Sequence, residues 1–355
     1  MIRDLIQRLC IAVICLLLAA CGREPLYHAQ GYVFGTLVEV SIYGQQEEVA
    51  QAASNQILQE FQRLHQKLHA WDEHSDLSQL NQAFADGQTI PIDAELASML
   101  QQVATLSTQS NGLFNPAIGK LIQQWGFQRD GFTPIKIDDT AIAKLVTARP
   151  QMTDIVITQT PDTDQFMASS RNKAVKLDLG GYAKGYALDR AASLLREQGI
   201  SDALINIGGN ILALGQRGKQ PWRVGIQHPR KPTAIATLDL PDGWAVGTSG
   251  DYQRFFELDD QRYSHLINPE SGYPVQHTQA VTVLIPPDEL TGTLSDVLSK
   301  PIFISEPVFR PSMAANIGLK HYLVIDSQGH AFATEPMAAM LQWQQEQYGK
   351  LDIIH

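Results

Sequence analysis

Residues 177–189 read LDLGGYAKGYALD and set a carboxylate (Asp178), two adjacent glycines (Gly180, Gly181) and an ammonium group (Lys184) within one short stretch. The apolar lead-in has strand character, and a helical pattern follows over 183–198. Paired glycines at such a turn let backbone N–H groups approach an anion, and the helix N-terminus behind them adds a favourable dipole. Lys184 supplies a point charge suited to a phosphate. Asp178 is better placed to hold the glycine turn, by accepting backbone N–H bonds, than to catalyse. Taken alone, the stretch is neither GxGxxG nor a P-loop and fits a plain turn equally well. Three more clusters of glycine with polar residues accompany it: NIGGN (206–210), GTSGDY (247–252) and SHLINPESGYP (264–274). Four such clusters in one chain point to loops that converge on a polar ligand.

The elements that must position these loops alternate irregularly. Residues 32–44 alternate apolar and polar types and predict a strand, with Gly35 a bulge or a point of close approach. Helical spacing runs from Glu47 to about His69. His65 and His69 stand four apart on it but lack the acidic partner of a HExxH motif, which favours solvated histidines over a metal pair. A second helix is expected over 93–110, and a third after FNPAIGKLIQQWGF (114–127). The segment 203–215 predicts a buried strand broken by a Gly-Gly turn, and strand-like runs follow at 222–227, 234–240, 243–248, 280–285 and 321–326. This order predicts one α+β domain over 31–345, with mixed sheets and packed helices rather than a doubly wound sheet.

With 44% hydrophobic and 18% charged residues, the 355-residue chain has ample material for a core. A formal charge of −10 argues against a non-specific nucleic-acid binder. The first 20 residues form a signal-peptide pattern: Arg3 and Arg8, then an apolar run ending in LAAC, with small residues directly before Cys21. That ending resembles the bacterial lipobox, which implies a lipidated Cys21, a polar tether over 21–30 and a lipid-anchored protein on the periplasmic face of a membrane. The three cysteines are Cys10, Cys15 and Cys21, so the mature chain would keep no free thiol for nucleophilic catalysis or a cysteine zinc site.

Taken together, these stretches resemble the ApbE family of FAD:protein FMN transferases over roughly residues 31–340. VFGT, WDEHSDLSQLN (71–81), GLFNPAIGKLIQQWGF (112–127), LDLGGYAKGYALD, INIGGN, GTSGDY and SHLINPESGYP fall in the family's order. The resemblance implies that FAD is split at its diphosphate, that FMN is joined to a threonine hydroxyl of an acceptor redox protein, and that AMP leaves. Phosphoryl transfer of this kind is mostly positioning and charge stabilisation.

Carried over residue by residue, the resemblance implies FAD contacts at Phe34, Trp71, Leu113, Phe114, Asn115, Gly180, Tyr186 and Ile267. Lys184 is the phosphate contact beside them, and His265 the candidate general base, being neutral near pH 7. Phe34 and Trp71 also suit the core, and His265 also suits a cap on the turn before Asn268-Pro269. A magnesium site is implied at the Ala183 carbonyl, Asp296 and Ser299, but the family's threonine is here Lys300. An ammonium has no lone pair and cannot ligate Mg²⁺. Lys300 either turns away from a weakened site, or takes the ion's place against the diphosphate, or marks a protein that binds FAD without transferring FMN. The second is the expectation for the geometry. The alternative to an enzyme is accordingly an FAD-binding periplasmic lipoprotein.

Overall fold

The computed structural model describes residues 26–354 except 130, 132–133 and 161–164. Its spine is a nine-stranded sheet whose strands follow chain order from edge to edge. They are β1 (Leu26–Val33), β2 (Thr36–Tyr43), β3 (Ala203–Ile207), β4 (Asn210–Leu214), β5 (Ala245–Gly250), β6 (Thr278–Ile285), β7 (His321–Asp326), β8 (Ala331–Thr334) and β9 (Leu351–Ile354). Every neighbouring pair is antiparallel except β8 and β9. Helices, three smaller sheets and loops are inserted between these strands, so the architecture is α+β.

Strand alternation gives the sheet two apolar faces. Val38, Val40, Ile42, Ile205, Ile207, Val281, Val283 and Ile285 point into the larger core, under the helices. Ala280, Leu284, Leu323 and Ile325 point the other way, against Trp222, Val224, Ile226 and Leu238 of a small three-stranded sheet. The helical face carries α1 (Glu47–Leu68), α2 (Asp76–Asp86), α3 (Ala94–Gln109), α4 (Ala183–Glu197), α5 (Thr291–Val297) and α6 (Ser299–Ile304). On α1 the buried residues Ala50, Ala53, Ile57, Phe61, Leu64 and Leu68 recur at helical spacing and form its inner stripe. Ser75 and Asp93 cap α2 and α3, accepting the Ser78 and Leu96 N–H groups.

The predicted helices over 47–69, 93–110 and 183–198 and the split strand at 203–215 are present within one or two residues. Three expectations need correction. The run 32–44 is not one strand: Phe34 and Gly35, both at positive φ (56° and 70°), form a two-residue turn between β1 and β2. Such turns match the twist of the strands they join, and glycine accepts the conformation without cost. Residues 26–30, read as part of a tether, pair with β2 from Gln30↔Glu39 to Leu26↔Tyr43. The helix expected after FNPAIGKLIQQWGF lies inside that motif, at Gly119–Gln124.

Candidate active site

The glycine turn at 180–181 is clamped from three directions. Asp178 Oδ1 accepts the Gly180 N–H at 2.8 Å, and its Oδ2 accepts the Trp71 indole N–H at 3.2 Å. Lys176 lies 4.3 Å above the Trp71 ring, a cation–π contact. Behind the turn, Asn81 of α2 donates to Leu177 O at 2.8 Å and accepts Leu177 N–H at 2.6 Å. The backbone of Pro116 and Ala117 accepts from Asp178 and Lys176, which lays one glycine-containing motif along the next.

Two glycines then bring α4 against α5. A Cβ at Gly185 would sit 2.5 Å from Gly292 O, and one at Gly292 would sit 2.6 Å from Gly185 O, so neither position tolerates a side chain without separating the helices. Asp189, the last residue of LDLGGYAKGYALD, accepts the Gly292 and Thr293 N–H groups at 2.6 and 2.8 Å and pins the start of α5. This crossing buries Asp296 of α5 against the first turn of α4, where its Oδ2 accepts the Gly185 N–H at 3.1 Å.

Asp296 is the centre of a charged cluster. Lys300 Nζ donates to its carbonyl at 2.6 Å and to its Oδ1 at 2.8 Å, while Lys184 Nζ lies 3.5 Å from Oδ2. Lys184 also donates to Gly180 O at 3.1 Å, tying the cluster back to the turn. Burial would raise the Asp296 pKa, but Lys184, Lys300 and the Gly185 N–H outweigh it and hold the carboxyl well below its ordinary range. The carboxylate and two ammonium groups leave the cluster with one net positive charge. Ser299 donates to Asp296 O at 2.9 Å and shares a 2.8 Å hydroxyl contact with Ser249 of the GTSGDY segment.

His265, on the SHLINPESGYP loop, lies within electrostatic reach of Lys184 and Lys300. Its Nδ1 is 3.2 Å from Arg254 O, which can only accept, so Nδ1 carries the proton and Nε2 the lone pair. Enclosure pushes the His265 pKa down to about 3, helped by Arg254, Lys184 and Lys300, with the bond to Arg254 opposing. In a ¹⁵N NMR titration of the free protein, His265 is therefore expected to titrate near 3 with Nε2 unprotonated above it. A midpoint near the ordinary value of ~6.5 would contradict this geometry.

The family model described as the ApbE family matches residues 34–323. The chain belongs to the ApbE family. An FAD:protein FMN transferase of Rhodobacter capsulatus is 39% identical over 311 residues, covering 88% of this chain and 57% of that protein. One from Klebsiella pneumoniae is 30% identical over 273 residues, covering 76% of this chain and 80% of that protein. Among solved structures, the ApbE protein of Thermotoga maritima is 26% identical with a TM-score of 0.78, over 89% of this chain and 99% of that one. The apo flavinyl transferase ApbE of Pseudomonas stutzeri is 25% identical with a TM-score of 0.74, over 93% of this chain and 99% of that one.

Within this ApbE fold, the residues implied by resemblance divide into two groups. Gly180, Ala183, Lys184, Asp296, Ser299, Lys300 and His265 gather around the first turn of α4. Trp71 borders them through Asp178, and Tyr186 continues along α4, its ring stacked on Tyr182 at 5.7 Å and its hydroxyl 3.4 Å from Glu95. Phe34 sits at the β1–β2 turn, half-buried, with its ring 5.7 Å from His65 and 6.1 Å from Phe61. His65 is thus packed between aromatic rings rather than simply solvated, with His69 5.1 Å away. The other side chains are turned inward. Phe114 is 3% exposed, and Ile267, also 3% exposed, packs with Trp125, Phe127 and Phe256. Asn115 spends its amide on Pro150 O and the Ala117 N–H. Leu113 is half-buried at the edge of the larger core. Cys21 lies outside the described residues.

Sequence reasoning missed several positioning residues: Asn81, Asp189, Arg254 and Ser249. Each acts through a backbone group or hydroxyl in another element, so no local pattern marks it. Their only signal is that all but Arg254 fall inside a quoted motif.

The implied Mg²⁺ site does not fit this donor set. Lys300 already occupies Asp296 O and Oδ1, and Lys184 flanks Oδ2. A divalent ion held ~4 Å from one ammonium group would meet a repulsion of about 8 kcal/mol at an effective dielectric of about 20.

Proposed function

We propose that this protein transfers FMN from FAD to a threonine hydroxyl of an acceptor redox protein. Family membership and the curated relatives support the activity. The observation that carries the chemistry is a neutral histidine, its Nε2 lone pair free, within electrostatic reach of two ammonium groups around Asp296.

On this reading the diphosphate lies at the first turn of α4, with Lys184 and Lys300 against its oxygens. The acceptor Oγ attacks the phosphorus that carries riboflavin. The Oγ–P bond forms, the bridging P–O bond breaks, and AMP leaves. The hydroxyl proton passes to His265 Nε2. A pKa of about 3 makes His265 a weak base in the free protein, but a bound diphosphate offsets the field of the lysines and raises its basicity. The Trp71 ring edge and the Phe34 turn offer apolar surface for the flavin. The test is incubation of an acceptor redox protein with FAD, followed by mass spectrometry. A mass gain of one FMN, with an equal amount of AMP released, is expected; bound FAD with no gain would sink the transferase reading.

We further infer that Cys21 carries a lipid and holds the protein at the periplasmic face of a membrane. The support is the residue pattern before Cys21. Labelled palmitate fed to expressing cells is expected to enter the wild-type protein and to be absent from Cys21→Ala. Equal labelling of both would overturn the assignment.

A further inference from the structure

The mismatch between the implied metal site and the residues present has a specific chemical meaning. We propose that Lys300 replaces the divalent cation, so that FAD is held at its diphosphate by a pair of ammonium groups and FMN transfer needs no metal. This rests on the transferase reading above and assigns its charge stabilisation to Lys184 and Lys300 alone.

Four observations carry it. Lys300 is not folded away: its Nζ donates to Asp296 O and to Oδ1, a carboxylate oxygen of the implied metal site, and its side chain is 15% exposed. An ammonium group has three N–H donors, and two are used here, so the third is left for a ligand. The lysine stem lies against the glycine turn: a Cβ at Gly181 would sit 2.6 Å from Lys300 Cε and 3.1 Å from Cδ and would displace the stem. The second glycine of the 180–181 turn thus makes room for Lys300 as well as for a tight turn. Finally, Lys184 mirrors Lys300 across the same carboxylate, 3.5 Å from Oδ2. Asp296 then acts as counter-ion to two cations and fixes their spacing, a role unlike that of a metal ligand.

The bond changes are unchanged and balance without a metal or a redox partner. The acceptor Oγ–P bond forms, the bridging P–O bond breaks, the proton goes to His265, and AMP departs as a phosphomonoester. What differs is the source of positive charge. Lys184 with a divalent ion would give the carboxylate site a net charge of +2, whereas Lys184 with Lys300 gives +1. The lysine pair therefore stabilises the leaving phosphate through directed N–H bonds and position more than through charge.

The experiment measures FAD affinity by quenching of flavin fluorescence, metal content of the purified protein, and FMN transfer to the acceptor. Each is read in EDTA and in excess MgCl₂. For wild type, affinity and rate are expected to agree within about twofold in the two conditions, with no stoichiometric metal. Lys300→Met keeps the stem over Gly181 and removes the charge. It is expected to weaken FAD binding by about 10- to 100-fold in EDTA, with no recovery in MgCl₂. Lys300→Thr is expected to lose affinity similarly in EDTA and to regain it in MgCl₂. FAD binding by wild type that requires Mg²⁺, or one bound divalent ion per chain, overturns the replacement while leaving the transferase reading intact. FAD binding equal in both conditions with no transfer in either keeps the lysine pair and removes the transferase reading. Absence of FAD binding in every condition removes both. If a Lys300 variant does not fold, as judged by circular dichroism, the wild-type comparison decides alone.

Discussion

Replacing His265 by alanine is expected to lower FMN transfer by about 10²- to 10⁴-fold while leaving FAD affinity within a few-fold of wild type. The imidazole reaches the site from a loop whose backbone is independently fixed: His265 N–H donates to Arg254 O at 3.0 Å, and Asn268 N–H donates to Tyr273 O at 2.9 Å. Its loss therefore removes a proton acceptor without dismantling the loop. The Nδ1 contact to Arg254 O sets the tautomer, so Nε2 is the atom whose loss matters. Released AMP and the mass of the acceptor read the rate, and flavin fluorescence reads binding. The acid limb of the kcat profile, which reports the FAD-bound state, is expected to vanish in the variant. A parallel loss of affinity and rate would instead make His265 a binding residue.

Asp296→Ala is expected to be the most destabilising single substitution in the site, by about 3–5 kcal/mol. Asp296 is 2% exposed and is the shared partner of Lys184, Lys300 and the Gly185 N–H. Without it, two like charges face each other across a cavity at the α4–α5 crossing. A fall in the thermal midpoint of roughly 4–8 °C follows for a domain of this size. Scanning calorimetry and urea unfolding check it, and a change below about 1 kcal/mol would mean that the cluster contributes charge but not stability. The wild-type contribution also has a defined pH window. The folded pKa of Asp296 is depressed, so this stabilisation is fully present above the unfolded-chain value of ~3.9 and is lost as pH falls through the folded value. Acid unfolding of wild type and Asp296→Asn should converge only at the low end of that range.

Much of the fold is legible in the sequence. The inner stripe of α1, the helix over 93–110 and the broken strand over 203–215 all follow from local spacing and turn chemistry. Alternation over 32–44 does not reveal the two-residue turn, because one of its residues is phenylalanine at positive φ. Residues 26–30 have the polar composition of a linker because β1 is an edge strand and half-exposed. For the site, Lys184, Asp296, Ser299, Lys300 and His265 were all named from sequence. The inward turn of Phe114 and Ile267 was not visible, since an apolar residue in a motif suits a ligand and a core equally well.

The amino-acid order by itself determined the element types, the four glycine-containing loops and the presence of a lysine where an oxygen ligand was implied. It could do so because helix and strand periods, turn residues and side-chain protonation chemistry are local properties. Only the tertiary structure decided where that lysine points, which tautomer His265 holds and which glycines are there for close approach. The first and last depend on atoms from segments over a hundred residues apart, Gly181 with Lys300 and Gly185 with Gly292, and the tautomer on Arg254 O eleven residues away across a chain reversal; no local pattern encodes these meetings.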